Sequence, residues 1–493
     1  MVIRLAVPFV LVVCSTPVFA VDQIFADGFD GPKWFIDSDA DNYGSASAFV
    51  HSATQPPGYV ANSLDCDDSN AAIHPGAVDD PDPAFGDTNC DGIDGDIGKA
   101  IFVATSGTDS GTCGTQLAPC ASPQFAISRL GGAVNSIYVQ VGAYSGALTI
   151  VSDAAFFGGY DLNWQRGPVT PGGPNSQIQG VQSPMGALGE QAFAVFVAFG
   201  TQAVFNGMEI DAPLASGVIN RVGRSSYGIY ADTGVTLSVD YSAIVQSDGA
   251  AGAAGNDGTS ATQIAVQAGG SGSAGVQVNI FCDTMTHTSG GAPSTNFCSS
   301  GRSVAAGAGG DGGVMDNNCT SFIALPGAVG IDATTVVGTA GKGGTPGSGG
   351  GSCGATGAGQ PGSLSNGSGG LAGLGAMVSG GIFLGNAGGS GTLGANGGGG
   401  GGGGGAGGCD NGTDSYGASG GGGGAGGCAA TVAGTGGAGG GGSFGIFALN
   451  AHVDSNNTTF VLGHGGKGGD GGKAGLGQPG GSGGTGGPNA PNG

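Results

Sequence analysis

From residue 101 the chain alternates short runs of β-branched and aromatic residues with turn-forming residues, the pattern of successive strands. Ile101-Phe102-Val103-Ala104-Thr105 comes first, then Ile137-Tyr138-Val139-Gln140-Val141, Leu148-Thr149-Ile150-Val151 and Ala155-Phe156-Phe157-Gly158-Gly159-Tyr160. Further runs continue to Val245, and Ala192 to Phe199 reads as one strand. A helical period appears only over Pro123 to Leu130, which predicts one short capping helix. The strands also echo one another. Ser226-Tyr227-Gly228-Ile229-Tyr230-Ala231 and Ser443-Phe444-Gly445-Ile446-Phe447-Ala448 each open a strand pair that runs into a glycine tract. Gly327 to Asp332 and Ser379 to Leu384 are weaker copies. Repeated apolar rungs with glycine-rich excursions predict a stack in which each rung buries its face on the next.

Ahead of the strands the pattern is polar and acidic. Between Asp22 and Gly98 lie 16 of the 34 acids and a single base, Lys33. Asp37-Ser38-Asp39-Ala40-Asp41-Asn42-Tyr43-Gly44 sets carboxylates at alternate positions, and Leu64 to Ala77 and Asp87 to Asp94 hold two further clusters. Alternating carboxylates wrap a loop around a hard cation, because Ca²⁺ takes six to eight oxygens at about 2.3–2.6 Å. At the amino terminus Arg4 precedes an apolar run, Leu5 to Val13, too short to span a bilayer. Val18 and Ala20 suit the small-residue positions of a cleavage site after Ala20, so a secreted or cell-surface location without a membrane span is expected.

Composition narrows the classes. Glycine supplies 116 of 493 residues, charged residues are 9%, and the net charge is −23. So few bases cannot neutralise a run of phosphates, which excludes a basic nucleic-acid binder. Twenty-two prolines without a Gly-X-Y period exclude collagen. Thirty glycines precede residue 249 and 86 follow from there, and near the end they fall into triplets such as Gly465-Gly466-Lys467 and Gly483-Gly484-Thr485. A period of three fits a left-handed polyproline-II turn with close strand packing. A flexible linker is the competing reading, above all for Gly397 to Gly405.

Eleven cysteines become ten once Cys14 leaves with the signal. Pairing sequence neighbours gives Cys66–Cys90, Cys113–Cys120, Cys282–Cys298, Cys319–Cys353 and Cys409–Cys428 as the simplest scheme.

The acidic segment from Asp37 to Asp96, with its D-x-D-x-D-x-Y-G opening, D-C-D-D-S-N-A-A-I-H-P-G-A centre and D-x-N-C-D-G-I-D close, resembles the metal-binding motif of MopE-type secreted bacterial proteins. It is also similar to thrombospondin type 3 calcium repeats. The resemblance implies a small loop module clipped by Cys66 and Cys90, with Asp37, Asp39, Asp41, Asp65, Asp67, Asp68, Asp87, Asn89, Asp91 and Asp94 as cation ligands. Asn89 stands where that pattern has a second aspartate. All-oxygen ligation favours Ca²⁺ over copper, and His74 reads as a turn residue. The strand segment resembles the entry of right-handed parallel β-helix proteins of the pectate-lyase-like kind, a β-sandwich being the competing fold. The glycine-rich half resembles PE-PGRS surface proteins in composition, without their PE domain.

The expected fold is therefore all-β: a right-handed parallel β-helix, or solenoid, with glycine-rich excursions, preceded by a calcium-binding, disulfide-clipped loop module. The expected divisions are a signal peptide (1–20), a linker (21–36), the metal-binding module (37–98), the β-helix (99–250) and a glycine-rich solenoid (251–493). Protease and esterase motifs do not occur, and residues 101–250 carry only scattered charges, among which Asp240, Asp248, Arg221 and Arg224 stand nearest a groove constellation. A non-enzymatic structural or adhesive protein is expected, meeting a surface, polymer or cell. The alternative is a polysaccharide lyase or hydrolase on the same scaffold.

Overall fold

Lys33 to Val60 carry the first strands of the described residues. In the computed structural model, which describes residues 31–182, 191–278, 287–299, 303–314, 324–333, 357–362, 367–410 and 414–490, Lys33–Ile36 pairs antiparallel with Phe49–His51 on one side and Tyr59–Val60 on the other. The acidic loops hang from this small sheet. The signal segment and Cys282, Cys319 and Cys353 lie outside the described residues, as does the side chain of Cys409.

The predicted strands then assemble into three mostly parallel sheets. One has six strands in the order His452–Asn456, Thr236–Asp240, Gln202–Asn206, Ala154–Tyr160, Ser136–Gln140, Ala100–Val103. A second has five, Thr459–Val461, Ala243–Val245, Met208–Asp211, Ser176–Gln179, Gly142–Ser145. In the third, Ala192–Val197 lies parallel to Ser226–Ala231, Ser226–Ala231 to Ser443–Ala448, and Leu148–Ile150 to Ala192–Val197, with a short antiparallel edge at Val181–Gln182. Period-two alternation explains which side is apolar: Ala203 and Phe205, Leu237 and Val239 are buried, while Gln202, Val204, Thr236 and Ser238 between them are not. Their inward faces share one core with Ile137, Val139, Ile178, Val195, Ile210 and Ile244, and Phe156 stacks on Phe205 at 5.2 Å. Each such side chain contributes about 1.5–3 kcal/mol by leaving water. The helix is Pro123–Ile127, capped by the Ser122 side chain and covering the same core.

The internal repeat is a register. Ser226 pairs with Ser443, Tyr227 with Phe444, Ile229 with Ile446 and Tyr230 with Phe447. On the outer face this aligns an aromatic ladder in which Tyr227 stacks on Phe444 and Tyr230 on both Phe196 and Phe447. The hairpin Ala376–Ser379/Ile382–Gly385 closes over it, Tyr230 donating to the Gly381 carbonyl and the Phe383 N–H donating to the Tyr227 hydroxyl. The weaker copies do not behave as rungs: Ser379 to Leu384 lies in this antiparallel hairpin, and Gly327 to Asp332 has no ladder.

This topology corrects the expected fold class. The right-handed parallel β-helix continuing as a glycine-rich solenoid is not what the described residues form. They form parallel sheets of five or six strands with almost no helix; beyond residue 250 only Ser443–Ala448, His452–Asn456 and Thr459–Val461 join them, and the glycine tracts add no rung. The physical reason is that a glycine strand has no side-chain face to bury on its neighbour. Its backbone pairs in threes instead: Gly466, Gly469 and Gly472 donate to the carbonyls of Gly441, Ala438 and Thr435, while Gly249, Gly252, Gly255 and Gly258 donate to His464, Lys467, Asp470 and Lys473. Around the buried chain at 417–427, Gly420 donates to Gly310, Gly421 accepts from Gly403 and Gly422 accepts from Gly484. Three successive residues thus face three different neighbours, the period of a polyproline-II turn. Gly397 to Gly405 takes part in this array through Gly397, Gly400 and Gly403, so the extended reading holds there and the linker reading does not. None of the described glycines between 249 and 369 has a positive φ; close approach, not left-handed backbone, is what selects glycine.

The cysteine scheme is corrected as well. Cys66–Cys90 and Cys113–Cys120 form as neighbours, but Cys298 joins Cys428 across 130 residues, which rules out both Cys282–Cys298 and Cys409–Cys428. The glycine array brings these distant cysteines together beside Ala261 and Val304.

Candidate metal centre

The opening loop is built by its own side chains. Asp37 accepts from the N–H groups of Asp41 and Asn42, and Asp41 accepts from Tyr43, which bends the chain back with Ala40 and Asn42 at positive φ. Gly44 ends the loop because a Cβ there would lie 2.8 Å from both Phe35 and Val60. Tyr43 stacks on His74 at 5.3 Å, and the His74 ring sits against the Pro75 carbonyl. His74 is therefore part of the loop packing.

These bends place carboxylates in contact. Oxygens of Asp37, Asp39 and Asp41 lie within 4.8 Å of one another, as do those of Asp39, Asp65 and Asp68. Both oxygens of Asp39, one of Asp41 and one of Asp65 are buried without a hydrogen-bond partner. Burial, then the charges of Asp41 and Asp65, push the Asp39 carboxyl above its ordinary range. Burial raises Asp65 in the same way. A buried oxygen left without a partner costs about 1–3 kcal/mol, more when charged, so the cluster fits a cation that supplies what the protein does not. The donors are all oxygens, the preference of a hard ion such as Ca²⁺ rather than copper.

The remaining predicted ligands divide. Asp67 turns to Ser69, accepting from its hydroxyl at 2.6 Å. Asp87, Asn89 and Asp91 repeat the geometry of the first loop, Asp87 accepting from Asp91 and Gly92, with Cys90 and Gly92 at positive φ. Here the inner groups are occupied, however: Asn89 donates to Gly95 and Asp91 accepts from Ile97. Asp94 is engaged elsewhere. It forms a buried ion pair with Arg166 at 2.9 Å, both side chains 1% exposed.

Arg166 is the residue that sequence reasoning missed. Its guanidinium also donates to the carbonyls of Asp82 and Gly158. Tyr160 donates to the Asp94 carbonyl at 2.6 Å, the Asp96 N–H donates to the Tyr138 hydroxyl, and Gln165 reaches Gly92. Ile93 inserts among Phe102, Tyr138, Tyr160 and Trp164. The acidic module is thus docked on the outer face of the six-stranded sheet. No pattern in W-Q-R announced this, since Asp82, Gly92 and Asp94 lie more than 70 residues upstream.

Of the groove constellation, Asp248 pairs with His464 and Asp240 accepts from Tyr241, while Arg221 donates to Ala254 and Arg224 to Ser216. The structure gives these four separate partners. No known protein family, characterised protein or solved structure matches the chain.

Proposed function

We propose that the chain is a secreted or cell-surface structural protein, non-enzymatic, whose acidic module is held together by Ca²⁺. The observation that carries this reading is the set of buried, unpartnered oxygens on Asp39, Asp41 and Asp65. Three disulfides among the described residues support an oxidising compartment, and no described helix is long and apolar enough to cross a membrane. The kinship with MopE-type and thrombospondin type 3 modules belongs to the same proposal. The glycine array offers neighbours mainly backbone and small side chains, which suits a coat, matrix or adhesive component meeting a surface, polymer or cell. A lyase or hydrolase would stand on Glu209 and Asp211, adjacent on one face of their strand, but the groups that hold Glu209 are amides: Asn175, Gln177 and the Gly172 N–H.

The test is thermal unfolding of the full chain in EDTA and in excess calcium. A metal bound only to the folded state at a hundred times its Kd adds about 2.7 kcal/mol, so the melting temperature rises with calcium and falls on chelation. Identical curves in both buffers would remove the cation from the reading.

A further inference from the structure

Resting on the cation reading, we propose that this centre holds two divalent cations that share the Asp39 carboxylate. Two oxygens bound to one Ca²⁺ can be no farther apart than twice a Ca–O distance, about 4.8 Å. The five carboxylates of the cluster fall into two groups that meet this limit, Asp37/Asp39/Asp41 and Asp39/Asp65/Asp68, and Asp39 is the member common to both. Its two oxygens are both buried and both without a partner. The second group has its own unpartnered donor: Asp65 is 7% exposed and its free oxygen is buried. The first group has the free oxygen of Asp41. Ser38 fixes the spacing between the groups, its N–H and hydroxyl both donating to Asp68 at 2.8 Å. Charge points the same way. One divalent ion leaves three of the five carboxylate charges uncompensated at short range, whereas two leave one.

Calcium titration of the intact, disulfide-bonded chain followed by native mass spectrometry tests this by differences. Asp39→Ala is expected to bind two ions fewer than the parent, and Asp41→Ala and Asp68→Ala one fewer each, with the retained ion's affinity weakened. Asp39→Asn, which keeps the side chain's volume, is measured beside Asp39→Ala, and ions are counted only for variants with the parent's near-ultraviolet circular dichroism. If Asp39→Ala loses only one ion, or Asp41→Ala loses as many as Asp39→Ala, the bridged pair is wrong while the cation reading stands. A parent chain that binds no calcium overturns both.

Discussion

In the Gly-Gly-x triplets near the carboxyl end the two glycines are not equivalent, and the difference can be measured. A Cβ added at Gly469 would lie 2.0 Å from the Ala253 oxygen and 2.4 Å from its carbon; at Gly468 the nearest atom is the Ala438 oxygen at 3.7 Å. The same contrast separates Gly466, Gly472 and Gly484, at 1.9, 1.9 and 2.0 Å from a carbonyl oxygen, from Gly465 and Gly483 at 3.6 Å and from Gly471, which has nothing within 4 Å. Ala474 already occupies the open register. To admit a methyl group at Gly469, the 249–258 and 464–473 chains must part by more than about 1 Å, since carbon contacts settle near 3.5 Å. That displacement disrupts the hydrogen bonds Gly252 to Lys467 and Gly255 to Asp470, now 2.9 and 2.7 Å. At about 1 kcal/mol per bond and about 1–3 kcal/mol for overpacking, Gly469→Ala loses about 3–5 kcal/mol. Gly468→Ala gains about 0.4–1 kcal/mol by restricting the unfolded chain.

Hydrogen exchange read by mass spectrometry on peptides spanning 249–258 and 464–473 separates the two. A local loss of about 3 kcal/mol accelerates exchange roughly 150-fold, while Gly468→Ala leaves protection unchanged or raised. Equal exchange in the two variants would refute the assignment of period-three backbone packing as the reason for glycine.

Other perturbations probe the remaining parts. Arg166→Met leaves Asp94 buried and unpaired, so about 3–5 kcal/mol of stability is lost, and adding Asp94→Asn recovers part of it; a melting-temperature double-mutant cycle with no coupling would contradict the docking role. Replacing Cys298 and Cys428 by serine releases a 130-residue loop, worth up to about 5 kcal/mol in the chain-entropy model, read as a lower urea midpoint. Burial, and next the Glu209 charge, push Asp211 up to about 6. A carboxyl raised on folding binds more protons folded than unfolded, so its protonation favours the folded state as pH falls from 7.5 towards 5. Asp211→Asn is expected to flatten that part of the melting-temperature profile, and an unchanged slope would assign it elsewhere.

Strand positions were legible because alternation and β-branching act locally: Ile137 to Gln140, Leu148 to Ile150 and Ala192 to Val197 all form where the pattern places them. The pairing of Ser226 with Ser443 was legible as similarity, since stacked parallel strands place like residues side by side. The acidic loop was legible because its hydrogen bonds run within five residues, as from Asn42 to Asp37. What stayed hidden depends on distant partners. Cys298 meets Cys428 only because the glycine chains between them hydrogen-bond side by side, and Asp94 meets Arg166 only once the sheet is assembled. Spacing also could not distinguish Asp39, a free carboxylate, from Asp94, a paired one.

The long excursion between the last two sets of strands follows from the same local rules. The last strands before the excursion lie 34 residues from their parallel neighbours, as in the bond from Ser225 to Gln191, whereas Gly442 reaches Ser225 across 217. Loop closure grows only as the logarithm of length, so this larger separation adds about 1.6 kcal/mol. The side chains gained on return, Phe444 and Phe447 against Tyr227 and Tyr230, with Ile446 and Val453 against the core, exceed that several-fold at about 1.5–3 kcal/mol each for full burial. The glycine chains need not be neutral either, since their own backbone bonds fix both ends of the excursion, Ala250 to Arg224 and Gly223 to Gly439. A chain of this composition can thus insert nearly two hundred residues between paired strands, provided the inserted segment satisfies its own N–H and carbonyl groups. The period of three is how it does so without side chains to bury.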